Sequence, residues 1–170
     1  MTAPIETAAS PVLDQISFRL ELPADEAFLS KLYATTRDVE MALTGWDSAQ
    51  QEAFLRMQFQ FQTTHYRKHY SDASFQIILR DNTPIGRIYI HYGAREIRLM
   101  DIALLPEFRR SGVGGAILEN LLREATQLEK SVTLHVQKFN PALRLYQRLG
   151  FRVIEDLGVN LHMEWRPAAN

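Results

Sequence analysis

Apolar and polar residues alternate from Ile16 to Leu22 (ISFRLEL), the period of a strand with one face buried. Pro23 then opens a helical stretch, with Asp25 and Glu26 near its positive end and Phe28, Leu29, Leu32 and Tyr33 recurring at helical spacing. A break around Thr44 and Gly45 leads to a second helix, capped by Asp47 or Ser48 and carrying Phe54, Leu55, Met57, Phe59, Phe61 and Tyr66. From Ser74 the period returns to two. SFQIILRD, a turn over Asp81 to Pro84, IGRIYIHYG and then EIRLMDIALL predict an antiparallel meander that ends at Pro106. After EFRRSG an amphipathic helix is predicted from about Val113 to Lys130, with Ile117, Leu118, Leu121, Leu122 and Leu128 on its apolar side. SVTLHVQK reads as a further strand, Asn140 and Pro141 start a short helix ending at Gly150, and FRVIEDLGVNLHMEW closes as a hairpin turning near Leu157 and Gly158. The predicted order is βααβββαβαββ, an α/β arrangement.

The length of 170 residues, 46% hydrophobic and 23% charged, suits one globular domain, and no internal repeat, low-complexity tract or linker argues for two. Residues 1–14 are expected as a loose tail and 15–168 as a single domain. That tail lacks the basic start and continuous apolar run of a signal peptide. No apolar run approaches the roughly 18 residues of a membrane-spanning helix, so no membrane partner is expected. A net charge of -1 and a pI near 6.5 give no broad attraction to nucleic acid. The absence of cysteine removes disulfides, thiol nucleophiles and thiolate ligands, and points to a cytoplasmic setting.

The strongest local signal is RRSGVGG, Arg109 to Gly115, between a predicted strand and the start of a long helix. Backbone N–H groups at a helix N-terminus have no intrahelical partner and lie at the positive end of the dipole, so they can hold a phosphate or pyrophosphate. Glycines let such a ligand approach, and Arg109 and Arg110 add charge-assisted donors. A tight strand-to-helix turn alone would also use Gly112, Gly114 and Gly115. The dinucleotide fingerprint and the nucleotide P-loop both fail: the first needs a glycine pattern after a first parallel strand, the second a lysine with serine or threonine after the last glycine.

The run Arg109, Arg110, Ser111, Gly112, Val113, Gly114 resembles the coenzyme A loop of the GNAT N-acetyltransferase superfamily, Gln/Arg-x-x-Gly-x-Gly/Ala. The preceding IALLPEF resembles that family's fourth strand, where the main chain of Ile102, Ala103 and Leu104 would hold the pantetheine arm. NPALRLYQRLGF is similar to its second cofactor element, which assigns Asn140 to the cofactor arm and Tyr146 to protonating the departing thiolate; Asn140 also reads as a helix cap. The resemblance implies a GNAT fold, a mixed, mostly antiparallel sheet flanked by helices. It also implies direct transfer of acetyl from acetyl-coenzyme A to a primary amine within a ternary complex, with the N–H near Leu104 polarising the thioester carbonyl. A small-molecule or peptide amine is the expected acceptor, no metal is expected, and a homodimer fits family habit. The rival reading is a noncatalytic acyl-coenzyme A binding domain, against which Tyr146 argues.

An attacking amine must be neutral, whereas a lysine-like amine has a pKa near about 10.4, so a base or water relay is expected. The strand position where some relatives carry a glutamate falls near Arg98, which cannot accept a proton. Asp101 is the candidate carboxylate; strand alternation sets it on the face opposite Ile102 unless a bulge re-aims it. In RDVEMALTGWD, Glu40 and Trp46 are candidate acceptor contacts, and the five histidines show no metal-ligand spacing.

Overall fold

The alternating segments become seven strands of one sheet in the computed structural model, which describes residues 11–168. In chain order these are β1 (Ile16–Leu20), α1 (Glu26–Thr35), α2 (Asp38–Ala42), α3 (Ser48–His69), β2 (Ser74–Arg80), β3 (Thr83–Tyr92), β4 (Glu96–Leu104), α4 (Val113–Gln127), β5 (Ser131–Gln137), α5 (Leu143–Arg148), β6 (Arg152–Asp156) and β7 (Asn160–Trp165). The sheet runs β1-β2-β3-β4-β5-β7-β6. Every neighbouring pair is antiparallel except β4 with β5. Among the described residues no helix is long and apolar enough to cross a membrane.

Period two sorts the strand residues onto two faces. Ile78, Ile88, Ile90, Ile97, Leu99, Val132, Leu134 and Met163 pack with Ile117, Leu121 and Ala125 of α4 and with Tyr146 of α5. On the other face Ile77 and Leu79 meet Leu29 and Tyr33 of α1 and Phe59 of α3. Ile88, Ile97 and Ile117 are each 0% exposed, and full burial of one such side chain contributes about 1.5–3 kcal/mol over leaving it in water.

Besides shifts of two or three residues at the starts of α1 and α5, the sequence reading differs from the structure at three places. Most of the expected tail lies outside the described residues, but Pro11–Leu13 forms a 3-10 turn and Leu13 is buried in the α4-side core. The stretch before Trp46, expected as a loop or helix end, contains the short separate helix α2, so three helices rather than two stand between β1 and β2. Helix α4 stops at Gln127, short of Lys130, although no glycine marks the end. Glu129 takes the left-handed conformation (φ 54) that glycine usually supplies, while Lys130 N–H reaches the Ala125 carbonyl and Glu129 N–H that of Thr126.

Two local devices fix the frame. Asp47 caps α3 by accepting from Gln50 N–H at 2.9 Å, as the sequence expects. Asp25, buried, takes both Arg19 guanidinium nitrogens at 2.7 Å and the Leu22 N–H at 2.8 Å, which ties the end of β1 to the start of α1.

Gly86 of β3 sits opposite Leu104 of β4, and a Cβ there would overlap the Ala103 carbonyl oxygen and approach Leu104 Cδ2 to 2.8 Å. Backbone cannot yield as a flexible side chain can. Gly86→Ala is therefore expected to cost about 1–3 kcal/mol in urea denaturation; an unchanged midpoint would show that β3 and β4 are less closely apposed.

Candidate active site

Strand β4 changes partners along its length. Glu96–Leu99 pair in parallel with Ser131–Leu134 of β5, and the pairing ends there, while β4 stays paired with β3 as far as Leu104. The two central strands therefore part after Leu99 and Leu134. A bulge lies at this point: Ile90 opposes Leu99 and Tyr89 opposes Asp101, so Met100 is the extra residue.

The ladder's phase follows from its two ends. Gly93 N–H donates to the Glu96 carbonyl and Leu105 N–H to that of Ile85. Because antiparallel pairs alternate between hydrogen-bonded and non-bonded, Arg87 with Ala103 is a bonded pair, whereas Ile88 with Ile102 and Gly86 with Leu104 are not. Counting from Gly93 through the bulge gives the same phase. Ile102 and Leu104 thus turn their N–H and C=O groups away from β3, into the gap left by β5. Ala103, expected to share their role, has its main chain taken up by β3.

The glycine turn closes one end of this gap. Gly112 is the N-cap of α4 with φ 86, and a Cβ on it would meet nothing within 4 Å, so its outer side is open. The first helical bond runs from Ala116 N–H to the Gly112 carbonyl. The N–H groups of Val113, Gly114 and Gly115 precede it and have no intrahelical acceptor, and no acidic residue occupies the first turn. This arrangement suits a pyrophosphate. Arg109, expected as an anion donor, instead uses Nε on the Leu104 carbonyl at 2.9 Å and Nη2 on Thr35 Oγ1 at 2.8 Å. It anchors the loop to β4 and α1, and by taking the Leu104 carbonyl it leaves that residue's N–H as the group facing the gap. Arg110, left-handed at φ 58, is exposed, and the Ser111 hydroxyl is turned inward to the Phe108 carbonyl at 2.5 Å.

Tyr146 lies buried, edge-on to Phe151 with centroids 5.7 Å apart. Burial, and then the Asp101 carboxylate, hold its hydroxyl well above the ordinary tyrosine range, so the proton stays on. Asp101 pairs with Tyr89 and hence projects on the α1/α3 face, opposite Ile102 as alternation requires. The bulge at Met100 is what separates it from Leu99, two residues earlier, which faces α4. Arg87, nearly fully buried, forms an ion pair with Asp101 and donates to Gln62 Oε1 at 2.9 Å.

Two partners of this cluster escaped the sequence reading. Arg87 is a lone cation within an apolar strand, a signal that a buried counter-charge is needed. Tyr66 looked like one more aromatic of α3, yet its hydroxyl lies 3.4 Å from the Met100 carbonyl, and burial followed by Asp101 pushes its pKa up to about 12. Other candidates stand apart. Asn140 uses Oδ1 to accept from Ala142 N–H at 2.9 Å, a cap on the turn into α5. Glu40 is bound by Arg37 at 2.7 Å and Trp46 packs edge-on to Phe54; neither shares a hydrogen bond, ion pair or ring contact with Asp101 or Tyr146 among the described residues.

A model of the acetyltransferase (GNAT) family matches residues 40–151. Among solved structures the chain is similar to PaiA N-acetyltransferase from Thermoplasma acidophilum in complex with coenzyme A, with TM-score 0.68 and 19% identity over 89% of this chain and 99% of that one. It is similar also to the ribosomal-protein-S18-alanine N-acetyltransferase of Escherichia coli, with TM-score 0.60 and 17% identity over 91% and 96% of the two chains. At such identities these likenesses show the fold. Cysteine-rich protein 2-binding protein of Mus musculus and Homo sapiens is 44% identical over 50 residues; this is 29% of the chain, which covers 6% of the length of those relatives.

Asp101→Asn leaves the buried Arg87 guanidinium without its counter-charge and is expected to lower unfolding free energy by about 3 kcal/mol. Chemical denaturation measures this; a loss under about 0.5 kcal/mol, the range of ordinary surface changes, would mean that Gln62 alone suffices for Arg87.

Proposed function

The chain belongs to the acetyltransferase (GNAT) family, and from that premise we propose that it transfers an acetyl group from acetyl-coenzyme A directly to a primary amine in a ternary complex. The observation that carries the reading is the parting of β4 and β5 after Leu99 and Leu134, with a glycine-opened helix terminus at its edge and a buried tyrosine beside it. The residues suit such a donor. The N–H groups of Val113, Gly114 and Gly115 take the pyrophosphate, and the outward main chain of Ile102 and Leu104 offers an extended, amide-bearing arm the edge of a strand.

In the transfer, the amine nitrogen forms its bond to the carbonyl carbon while negative charge grows on the carbonyl oxygen. The Leu104 N–H donates to that oxygen. As the carbon–sulfur bond breaks, Tyr146 gives its phenolic proton to the sulfur and recovers one from solvent before the next turnover. Its raised pKa keeps the proton on the phenol in the resting site and makes it the weaker acid, so the transfer draws on the basicity of the departing thiolate as the bond breaks. The proton lost by the amine leaves on the Asp101 side. Asp101, held by its ion pair with Arg87, orients the ammonium, and a water path removes the proton.

Calorimetry with acetyl-coenzyme A, followed by thiol release against a panel of primary amines, tests the reading. Gly114→Ala is expected to keep binding, because its Cβ would meet Leu104 Cδ1 at an ordinary 3.8 Å, and to gain about 0.5–1 kcal/mol of stability. Gly114→Glu is compatible with the helix dipole but sets a carboxylate in the anion cradle, so binding should be lost from a folded protein. Tyr146→Phe should bind as the parent does and lose about a hundredfold or more in kcat. Failure of the folded parent to bind acetyl-coenzyme A would overturn the proposal, and binding with no thiol release for any amine would assign a noncatalytic acyl-coenzyme A binding domain.

A further inference from the structure

Arg98 and His135 stand on either side of the vertex where the central strands part. Arg98 is the residue before Leu99, and His135 the residue after Leu134, the last pair of the β4–β5 ladder. Both point to the α1/α3 face, where Arg98 Nη2 meets His135 Nδ1 at 2.7 Å. Arginine can only donate, so Nδ1 accepts and the ring proton is on Nε2. The ring is held in turn by His162, stacked on it at 4.4 Å and 14° between planes. On its other flank the guanidinium lies 5.8 Å from the centroid of Tyr70. Burial, then Arg98 and then His162, lower the pKa of His135 and keep it neutral, while Glu96 and Glu155 oppose this weakly.

This cation is held in place without being neutralised. Among the described residues every carboxylate in an ion pair has a partner other than Arg98. Arg87, four residue pairs along the β3–β4 ladder on the same face, is by contrast matched by Asp101. Directly across the ladder from Arg98, Thr133 is 2% exposed and its hydroxyl has no hydrogen-bond partner. Fixing a half-buried guanidinium through a neutral imidazole leaves its charge and several N–H donors available to something else. Arg98 projects on the same α1/α3 face as Asp101, the carboxylate assigned to the acceptor's amine in the acetyl-transfer reading.

Resting on the acetyl-transfer reading above, we infer that Arg98, braced by His135 across the strand vertex, binds a carboxylate or phosphate on the acceptor. The preferred acceptor is then a zwitterion: its ammonium is drawn toward Asp101 and its anion toward Arg98. Polyamines and other purely cationic amines would be repelled by the same guanidinium.

The test uses the intact chain with acetyl-coenzyme A and matched acceptor pairs: α-amino acids against their carboxamides, and phosphoethanolamine against ethanolamine. The anionic member of a pair is expected to show a KM lower by about tenfold or more, the worth of one hydrogen bond to a charged group. Which pair responds distinguishes carboxylate from phosphate. Arg98→Gln should raise KM for the anionic member until the preference disappears, and Arg98→Lys should restore part of it, with acetyl-coenzyme A affinity reporting that the donor site is intact. Equal KM within every pair, turnover only of the members that lack an anionic group, no turnover of any anionic amine, or a preference that survives Arg98→Gln would each overturn the inference while leaving acetyl-coenzyme A binding in place. A parent that does not bind acetyl-coenzyme A overturns this inference together with the reading it rests on.

Discussion

The hydrogen-bond ladder between β4 and β5 stops at Leu99 and Leu134, and the site follows from that stop. A strand interior normally has partners on both sides, and a main-chain amide left without one in a buried place costs about as much as a lost hydrogen bond. The main chain of Ile102 and the N–H of Leu104, whose carbonyl Arg109 takes, are in this position on one side of β4. Their outward groups form an edge in the middle of a seven-stranded sheet, away from the sheet margins where other chains could pair with it. The bulge at Met100 belongs to the same device: it shifts β4 relative to β3 by one residue at the point where β5 is released. As a result Leu99 serves the α4-side core and Asp101 serves the opposite face.

Charge is arranged around the parting in two different ways. Arg87 and Asp101 satisfy one another in a mostly buried pair, a costly arrangement in which the loss of either partner is worse than the absence of both. It sets a carboxylate beside two tyrosines that keep their protons. Arg98 is held by geometry alone, through a neutral imidazole. The first pair organises the face from within, and the second presents charge outward. Arg109 adds a third use of guanidinium, tying the glycine turn to β4 and α1 and so fixing the helix N-terminus relative to the strand edge.

Shared architecture at 19% identity is consistent with this division of labour. Burial asks only for apolar side chains of suitable size at alternating strand positions and on one face of each helix, a demand that many sequences meet. The groups that would choose an acceptor sit on the α1/α3 face and are polar. Their chemistry is set residue by residue, and the fold constrains it little.

The sequence by itself determined most of the frame. Period-two and helical patterns placed all seven strands and the long helices, because burial of one face imposes those periods directly on the chain. The glycine turn was legible for a similar reason: positive φ at Gly112 and close approach at the helix start are local demands that restrict residue type. The short α2 and the end of α4 were not, since α2 has five residues and α4 is closed by Glu129 in the conformation usually given to glycine. What only the tertiary structure decided was pairing. Arg87 lies 14 positions before Asp101, Tyr66 is 34 positions before Met100, and Arg98 is 37 before His135. Each pair is joined by strand register across the sheet or by the packing of α3 on it. A side chain's type records what it can bind, and only the fold decides what it meets.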